Sequence, residues 1–530
     1  MKNIKLKKVL TAGLAAVLLT FSMIGCANTQ ASASTEFPSI EETAEAELSS
    51  EESGYETLFE KDKVLDIHVD VAEEDWESML SDPLAEEYKS ASVTVDGVKV
   101  ENVGFRTKGN STLRSVADSD SDRYSFRIKL DKYVEDQSLL GLDEFVLNNM
   151  YSDASYMREY LSYEALREIG ADVPLTTFVN IYINGELYGF YLCVEAPDDS
   201  FVERNFEDST GNLYKQEQGS TLQYEEGSEY EKSELKLGED ETKTDLKAFI
   251  KILNEMPSGE KGNIEEVLDV ESALKYIAAN TVLGNYDSYS GNMSHNYYLY
   301  GQDGKFTVIP WDYNMSIAGF GGGGSQTTIP IDEPVSGVNI DNLPLIKNLL
   351  AVEEYKEKYH GYIEELLNYL DGFEGRVENL ADLIRPYVEA DPTKFYTMEQ
   401  FEAAITYSET QEASMSNIPQ AASTEVQNES SVAQEDPQTP TSGQMQPPND
   451  QQMPPNGEGM QAPPDFPEGF QNGDRPERPE GNENGDRPER GEGMRGGPGG
   501  GMMGSSGSII NFVRERIENI TAQLAGELPT

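Results

Sequence analysis

A long block of low-complexity sequence limits what this chain can fold into. Residues 411–507 are rich in Gln, Pro, Met, Gly and Asn, and the motif N-G-D-R-P-E-R at Asn472–Arg478 recurs at Asn484–Arg490. A segment of this composition does not bury enough apolar surface to offset the conformational entropy that folding costs. We therefore expect a disordered insertion over residues 410–507, and a folded part much shorter than the 530 residues of the chain.

Order is expected to resume after this block. Apolar residues recur at helical spacing at Ile509, Phe512, Val513, Ile517, Ile520 and Leu524. A lone amphipathic helix of this length is marginal in water, so its apolar stripe needs a partner. We expect residues 508–527 to form a helix that packs back on the folded domain. A separate oligomerisation helix is the alternative.

The first residues have the pattern of an export signal. Lysines precede an apolar run that ends at Phe21, and M-I-G-C ends at Cys26. We expect residues 1–26 to be a lipoprotein signal peptide, with Cys26 lipidated at the outer face of the cell membrane. The alternative is a plain signal peptide cleaved near Ala31 or Ala33, which gives a secreted protein. The apolar run is too short to span a bilayer, so the predicted membrane contact is the lipid anchor alone.

Composition then divides the chain and restricts its partners. The composition of residues 27–60 predicts an acidic, disordered tether, and residues 61–409 have the composition of a globular domain. With Cys26 lipidated, Cys193 stands alone, so no intramolecular disulfide is expected. The formal net charge of -56 disfavours nucleic acid and anionic lipid, and favours basic partners.

The globular part has a β-rich first half and a helical second half. Val64–Val71 and Ala91–Val100 have extended patterns, and the turn dipeptides at Asp96-Gly97 and Asn184-Gly185 predict β-hairpins. Apolar periodicity predicts helices over Tyr156–Ile169, Leu246–Asn254, Val270–Leu283, Tyr355–Leu370 and Glu374–Arg385. The predicted fold class is α+β.

One segment concentrates polar chemistry. From Asn285 the chain reads N-Y-D-S-Y-S-G-N-M-S-H-N-Y-Y-L-Y, and after the turn Gly301–Gly304 it reads K-F-T-V-I-P-W-D up to Asp312. Asp287 and Asn292 are five residues apart, the interval between the base Asp and the metal-binding Asn of a protein-kinase catalytic loop. The turn predicts a hairpin whose two ends meet at one cleft, where Asn292 and Asp312 can hold Mg²⁺. An ordinary hairpin with polar ends is the alternative.

The motifs N-x-D-x4-N, N-Y-Y-L-Y and I-P-W-D-Y together resemble the CotH family of atypical, secreted or spore-associated protein kinases. The resemblance continues upstream in the family's order. It covers F-R-T-K-G-N-S-T (Phe105–Thr112), Y-S-F-R-I-K-L-D-K (Tyr124–Lys132), M-R-E-Y-L-S-Y-E-A-L-R-E-I-G (Met157–Gly170) and N-I-Y-I-N-G-E-L-Y-G-F-Y (Asn180–Tyr191). The ending F-V-R-E-R-I-E-N-I-T-A-Q-L-A-G is similar to the family's last helix.

This resemblance implies that residues 61–409 are a CotH-like kinase domain with a kinase-like fold of two lobes. A β-rich N-lobe would precede a mostly helical C-lobe, with the disordered insertion before the last helix and with ATP and Mg²⁺ or Mn²⁺ bound between the lobes. Asp287 would orient or deprotonate a substrate hydroxyl, and Asn292 and Asp312 would hold metal.

In kinases a strand Lys that neutralises nucleotide phosphates is held by a Glu from a neighbouring helix. Lys129, in the strand-like run Ser125–Leu130, and Glu164, on the next helix, resemble that pair. Glu159 is the competing acid, and Arg127 is the competing cation.

The stretch Phe105–Thr112 combines cations with Gly and hydroxyl residues, a composition suited to binding phosphate. Arg106, Lys108, Asn110 and Ser111 are therefore candidate contacts for the nucleotide. The stretch has neither the Walker A pattern nor the spacing of a kinase Gly-rich loop. A structural β-turn is the alternative.

Four further features lie near the motif. The family often has a second Asp where this chain has Asn314, a change expected to weaken metal binding. His295 is a candidate metal ligand or base, but a structural role is expected for a single His among so many oxygen-bearing side chains. Trp311 is expected in the core, and Gly321–Gly324 is expected to be a mobile segment without a ligand.

The leading expectation is Ser/Thr protein kinase activity towards a basic, Ser/Thr-rich protein, as the resemblance implies. A location outside the cell speaks against it, because ATP is scarce there. A catalytically inactive kinase-fold surface module that binds a cell-wall polymer or a protein is the alternative. Phosphoryl or nucleotidyl transfer to a non-protein acceptor would use the same site.

Overall fold

The computed structural model describes residues 54–317, 319–320, 326–409 and 507–530. The predicted signal peptide with Cys26, most of the predicted tether, Gly321–Gly324 and nearly all of the low-complexity block lie outside the described residues. Within the described residues, no helix has both the length and the apolar character needed to cross a membrane.

Seven strands of the first half close into a barrel, in the order β1-β2-β3-β4-β5-β7-β6. They are β1 (Val64–Val71), β2 (Lys89–Val95), β3 (Val98–Lys108), β4 (Ser125–Lys129), β5 (Glu144–Asn148), β6 (Thr176–Ile183) and β7 (Glu186–Glu195). Neighbours are antiparallel except β1 and β6, whose parallel pairing closes the barrel. Alternate side chains such as Val69, Phe105 and Phe126 point inward and form the barrel core.

The two predicted hairpins of the barrel are confirmed. Asp96 and Gly97 have φ of 48° and 84°, and Asn184 and Gly185 have φ of 50° and 85°. Positive φ at both central residues is the signature of the two-residue turn that suits the twist of a hairpin. These turns join β2 to β3 and β6 to β7.

A second, four-stranded sheet has the order β11-β10-β8-β9. Its strands are β8 (Asn212–Gln216), β9 (Ser233–Leu237), β10 (Tyr297–Gln302) and β11 (Lys305–Pro310). The predicted hairpin through Asp303 and Gly304 joins β10 to β11 and is confirmed. Tyr297 pairs with Pro310 in this hairpin, so the polar loop before β10 and Asp312 after β11 emerge at the same edge.

Twelve α-helices occur among the described residues, and they include every helix predicted from periodicity. They are α1 (Glu73–Ser81), α2 (Ser111–Ala117), α3 (Arg158–Glu168), α4 (Asp199–Asn205), α5 (Thr244–Asn254), α6 (Ile264–Val267), α7 (Val270–Leu283), α8 (Pro344–Leu350), α9 (Glu353–Leu370), α10 (Phe373–Ala390), α11 (Met398–Ala404) and α12 (Ile509–Leu524), with short 3-10 turns at Tyr55–Phe59, Pro83–Ala85 and Ile340–Asn342. Most of the helices share a second apolar core with the four-stranded sheet. The α+β class is therefore confirmed, whereas the closed barrel was not predicted.

A buried ion pair ties the barrel to the helical part. Arg123, just before β4, donates to the carboxylate of Asp391 after α10 at 2.7 Å, and both side chains are fully buried. Asp391 also accepts from the backbone NH of Phe190 at 3.0 Å. Because a buried charge is costly without its partner, this pair fixes how α10 meets the barrel.

The C-terminal helix α12 packs against α7, α9 and α10. Asn511 holds Ser408 through its backbone, accepting from the Ser408 NH at 2.9 Å and donating to the Ser408 carbonyl at 2.7 Å. Phe512 lies against Gly284 at the end of α7, where any side chain would collide with the ring. The two chain segments on either side of the low-complexity block therefore meet at this helix.

Candidate active site at the barrel and sheet

The polar loop between α7 and β10, residues 284–296, is held firmly by its neighbours. The backbone NH groups of Gly219 and Ser220 donate to the carbonyls of Met293 and Ser294 at 2.7 and 3.1 Å. These bonds run from the segment that follows β8, so the loop is fixed to the four-stranded sheet. Its side chains are thus presented from a rigid support.

Asp287 in this loop is hydrogen-bonded through both its side chain and its backbone. Its Oδ1 lies 2.8 Å from His295 Nε2, and both side chains are partly exposed. Asn296 Nδ2 donates to the Asp287 backbone carbonyl at 2.8 Å. Of the two polar atoms of the Asn296 amide only the nitrogen can donate, so the nitrogen faces this carbonyl and Oδ1 remains available to a ligand. His295, for which a structural role was expected, directly contacts the predicted base.

The predicted metal ligand Asn292 lies elsewhere in the loop. It is exposed and packs beside Gly337, with no hydrogen bond to Asp287 in the described part of the chain. Asn296, which opens the motif N-Y-Y-L-Y, is the Asn that the fold joins to Asp287. The five-residue interval therefore selected an Asn that makes no hydrogen bond to the predicted base within the described residues.

Asp312 lies at the other end of the hairpin, in a left-handed backbone conformation with φ of 58°. Non-glycine residues in that conformation carry strain, which proteins often keep at functional sites. Its backbone NH donates to the Tyr163 hydroxyl at 3.0 Å. Burial raises the pKa of Asp312, Lys108 opposes that rise, and the negative charge of Asp287 adds to it. Asp287 and Asp312 thus belong to one electrostatic cluster.

On the barrel side, Asn148 links Lys108 to Glu159. Lys108 Nζ donates to Asn148 Oδ1 at 3.0 Å, and Asn148 Nδ2 donates to Glu159 Oε2 at 2.8 Å. Burial, with a contribution from Asp312, raises the pKa of Glu159 to about 8. Burial also lowers the pKa of Lys108, and Asp312 opposes this effect. A lysine from the barrel and an acid from α3 therefore meet beside Asp312.

The predicted pairing of Lys129 with Glu164 is wrong. Lys129 binds Asp198 and Asp131 at 3.1 Å, whereas Glu164 binds Arg376 at 2.9 Å. In the β3–β4 register, Lys129 lies opposite Gly104 and Lys108 lies opposite Ser125. Lys129 is therefore at the far end of the strand pair from Lys108.

The helix explains why Glu159 and not Glu164 reaches the cluster. Five residues correspond to well over one turn of a helix, so the two side chains leave α3 in different directions. Arg127, the competing cation, makes an ion pair with Glu144 and lies between the two lysines on the same strand face. Of the two candidate acids, Glu159 is therefore the one that lies near Lys108 and Asp312.

The stretch Phe105–Thr112 is split between β3 and α2, and its four candidate phosphate contacts go to different places. Arg106 pairs with Glu86 and lies over the Tyr88 ring, 5.0 Å from its centroid. Asn110 and Ser111 are exposed at the start of α2. Among the four, Lys108 is the residue that joins the cluster around Asp312.

An acidic cluster lies at the distant end of the strand pair. Ligand oxygens of Asp143, Asp198 and Asp199 lie within 4.8 Å of one another. Lys129 already neutralises this group through Asp198. Burial, with Asp198 adding to it, raises the pKa of Asp143 to about 7. The cluster thus sits apart from Asp312 and carries its own cation.

Two further positions lie close to Asp312 in the chain. Trp311 is 7% exposed and stacks edge-on to Tyr298, which confirms its place in the core. Asn314 is partly buried two residues after Asp312.

The donor set suits a divalent cation of the magnesium type. Asp312 supplies a carboxylate and Asn296 a free amide oxygen, both hard ligands that Mg²⁺ and Mn²⁺ prefer. Glu159 Oε1 is buried and has no hydrogen-bond partner among the described residues. A buried carboxylate oxygen without a partner is costly. A bound cation, or a lysine that moves towards it, would supply the missing partner.

Comparisons with known proteins show which family this chain resembles. The model of the family described as "CotH kinase protein" matches residues 105–419, more than half of the chain. The chain is also similar to the inner spore coat protein H of Bacillus subtilis (strain 168), with 28% identity over 283 residues, 51% of this chain and 75% of that relative. The matched family region contains Lys108, Glu159, Asp287, Asn296 and Asp312.

Proposed function

The chain belongs to the CotH kinase protein family, and we propose from this premise that it is an atypical protein kinase that transfers the γ-phosphoryl group of ATP to Ser or Thr of a protein. One observation carries the proposal. Asp287, Asn296 and Asp312 come from one helix-loop-hairpin unit, and Lys108 of the barrel and Glu159 of α3 approach Asp312. These are the parts that kinase catalysis requires.

Each residue has a chemical role in this proposal. Asp287 accepts the proton of the substrate hydroxyl, whose oxygen attacks the γ-phosphorus while the bond to the β,γ-bridging oxygen breaks and ADP leaves. His295 keeps the Asp287 carboxylate oriented through its 2.8 Å hydrogen bond. Lys108 neutralises phosphate oxygens, with Asn148 and Glu159 holding its ammonium group in place.

Asn296 and Asp312 are the proposed metal ligands. Asn292 remains a candidate from the sequence, but its exposed position beside Gly337 favours Asn296. Mg²⁺ or Mn²⁺, when bound, supplies positive charge that stabilises the developing negative charge on the phosphates. Removal of the half-buried Asp312 carboxylate from water raises its pKa, so a cation would favour its ionised form.

The barrel and the helical part would act as the two lobes of a kinase, with MgATP between them. Two observations support this hypothesis. The interior of the barrel is an apolar cluster separate from the one that the helices share with the four-stranded sheet. Lys108 from the barrel also approaches Asp312 from the hairpin. The outward faces of β3, β4 and β5 supply Lys108, Arg127 and Asn148 to that place.

A basic, Ser/Thr-rich protein is the proposed acceptor. The net charge of -56 attracts such a partner and repels nucleic acid. The relative is named as an inner spore coat protein, which supports a coat-associated or extracellular setting. We place the protein at the outer face of the membrane through lipid on Cys26, or free outside the cell if that cysteine is not lipidated.

One observation favours a second candidate function, a catalytically inactive surface module that binds a wall polymer or a protein. Lys108 and Glu159 do not form a direct ion pair, because Asn148 stands between them. Active kinases need the direct Lys–Glu pair. The hypothesis of an inactive binding module requires that nucleotide binding does not bring Lys108 and Glu159 into direct contact.

Transfer of labelled γ-phosphate from MgATP or MnATP to a basic Ser-rich peptide tests the proposal. Asp287→Asn and Asp312→Ala should each lower the rate by about a thousandfold or more, as expected when a group in the reacting assembly is removed. Asp303→Asn, in the exposed turn of the same hairpin, is the matched control and should leave the rate unchanged. No transfer by the wild type, together with no nucleotide-induced rise in its melting temperature, would favour the binding module.

A further inference from the structure

Lys215 on β8 faces the barrel from the opposite sheet. It pairs with Tyr298 across β8 and β10, and Tyr298 pairs with Ile309 across β10 and β11. Directly paired residues share one face of a sheet, so Lys215 lies on the same face as Tyr298. The Tyr298 hydroxyl interacts electrostatically with Arg127 and Glu144 of the barrel, which identifies this face as the one turned towards β4 and β5.

Lys215 also lies near Asp312. Its cross-strand partner Tyr298 packs edge-on against Trp311, the residue before Asp312, with the two ring centroids 5.8 Å apart. Lys215 on β8 and Lys108 on β3 therefore approach the edge that carries Asp312 from two different sheets. The arrangement concentrates positive charge where the proposed phosphates would lie.

The current partner of Lys215 is a local one. Lys215 Nζ lies 2.5 Å from Glu217 Oε1, and the two side chains are 32% and 44% exposed. A second pair with the same spacing occurs on β9, where Lys236 lies 3.1 Å from Glu234. Exposed pairs of this kind contribute little to stability, so Lys215 is free to exchange Glu217 for a stronger anion at small cost.

We propose that Lys215 binds the phosphate chain of the nucleotide from the side opposite Lys108, and that Glu217 holds it in the nucleotide-free protein. This inference rests on the proposed kinase function and adds a binding residue that the sequence motifs did not reveal. Lysine suits the role because its ammonium is a compact charge on a flexible stem that can turn from a carboxylate to a phosphate. With a lysine on each sheet, phosphate binding would draw the barrel and the four-stranded sheet together.

Calorimetric titration of the full chain with the magnesium complex of a non-hydrolysable ATP analogue, and separately with adenosine, tests the assignment. Lys215→Met should weaken binding of the analogue about ten- to a hundredfold, the range for one hydrogen bond to a charged group. Adenosine binding should not change, since adenosine has no phosphate. Lys215→Arg should recover part of the affinity, and Glu217→Gln should strengthen binding several-fold by removing the competing anion.

Lys236→Met is the matched control, because it removes the same type of residue from the same type of pair on the neighbouring strand. Its affinities should equal those of the wild type. If Lys215→Met binds the analogue as tightly as the wild type, the assignment is overturned, while Asp312→Ala can still lack transfer and leave the kinase proposal standing. A wild type that binds no nucleotide overturns both proposals.

Discussion

Arg516 on α12 offers a sharp test of how the C-terminal helix supports the active site. Its guanidinium is 1% exposed and donates to three backbone carbonyls, those of Thr281, Thr327 and Ile329, at distances from 2.8 to 3.2 Å. Thr281 is in the last turn of α7, where helix carbonyls lack an intrahelical partner. Arg516 therefore completes the end of the helix that leads into the loop carrying Asp287.

The size of the effect follows from these bonds. Arg516→Met leaves buried carbonyls without donors, at a cost of about 1–3 kcal/mol for each. Part of that cost is offset, because burial already disfavours the charged guanidinium and lowers its pKa. We expect a net loss of about 3 kcal/mol, concentrated around the end of α7.

Hydrogen exchange read by mass spectrometry measures this locally. Peptides that cover residues 281–296 should exchange about a hundredfold faster in Arg516→Met, while peptides from β1 should not change. Arg514→Met on the same helix is the matched control, since Arg514 pairs with Glu374 at an exposed position and should cost less than about 1 kcal/mol. Equal protection in the two variants would refute the claim that α12 braces the loop.

Three further predictions concern the metal ligand, the link between Lys108 and Glu159, and the separate acidic cluster with Asp143. Asn296→Ala should lower the rate of phosphoryl transfer at least a hundredfold and abolish the magnesium-dependent rise in melting temperature. Asn292→Ala should change the rate by less than about threefold and keep the thermal shift. The reverse ranking of the two variants would indicate that Asn292 is the metal ligand. Asn148→Ala, which removes the link between Lys108 and Glu159, should lower kcat/KM about tenfold with unchanged circular dichroism, and an unaltered kcat/KM would count against the link. The pKa of Asp143 is raised to about 7 in the folded protein, so the native state binds the extra proton and stability falls as pH rises from about 4 to about 7. Asp143→Asn should therefore gain roughly 4 kcal/mol relative to wild type across that range in urea unfolding, and a difference that does not vary with pH would contradict the assignment.

Local patterns predicted the secondary structure well, because they depend on neighbours in sequence. The turns at Asp96-Gly97 and Asn184-Gly185 and the periodicity of Val270–Leu283 needed no tertiary information. Closure of the barrel depends on the parallel pairing of β1 with β6, whose residues Val64 and Phe178 are far apart in the chain. Such non-local pairing leaves no signal in a single sequence.

The structure brings together the candidate site residues that are close in the chain, whereas the convergence of distant segments could not be predicted from the sequence. Asp287 and Asp312 lie at the two ends of one hairpin unit, so a turn signal was enough to bring them together. The choice of Lys108 over Lys129 depends on the β3–β4 register, and the choice of Asn296 over Asn292 depends on the path of a loop. The sequence contains the motif that begins at Asn296, but the five-residue spacing from Asp287 favours Asn292 instead.

The central claim is that this site moves a phosphoryl group from ATP to a protein hydroxyl. The most direct measurement is the intact mass of a basic Ser-rich acceptor after incubation with wild-type protein and MgATP, repeated with Asp287→Asn. We expect the acceptor to gain phosphoryl groups one at a time with the wild type and none with the variant. A gain of a whole nucleotidyl group, or an acceptor unchanged by a wild type that binds MgATP, would contradict it.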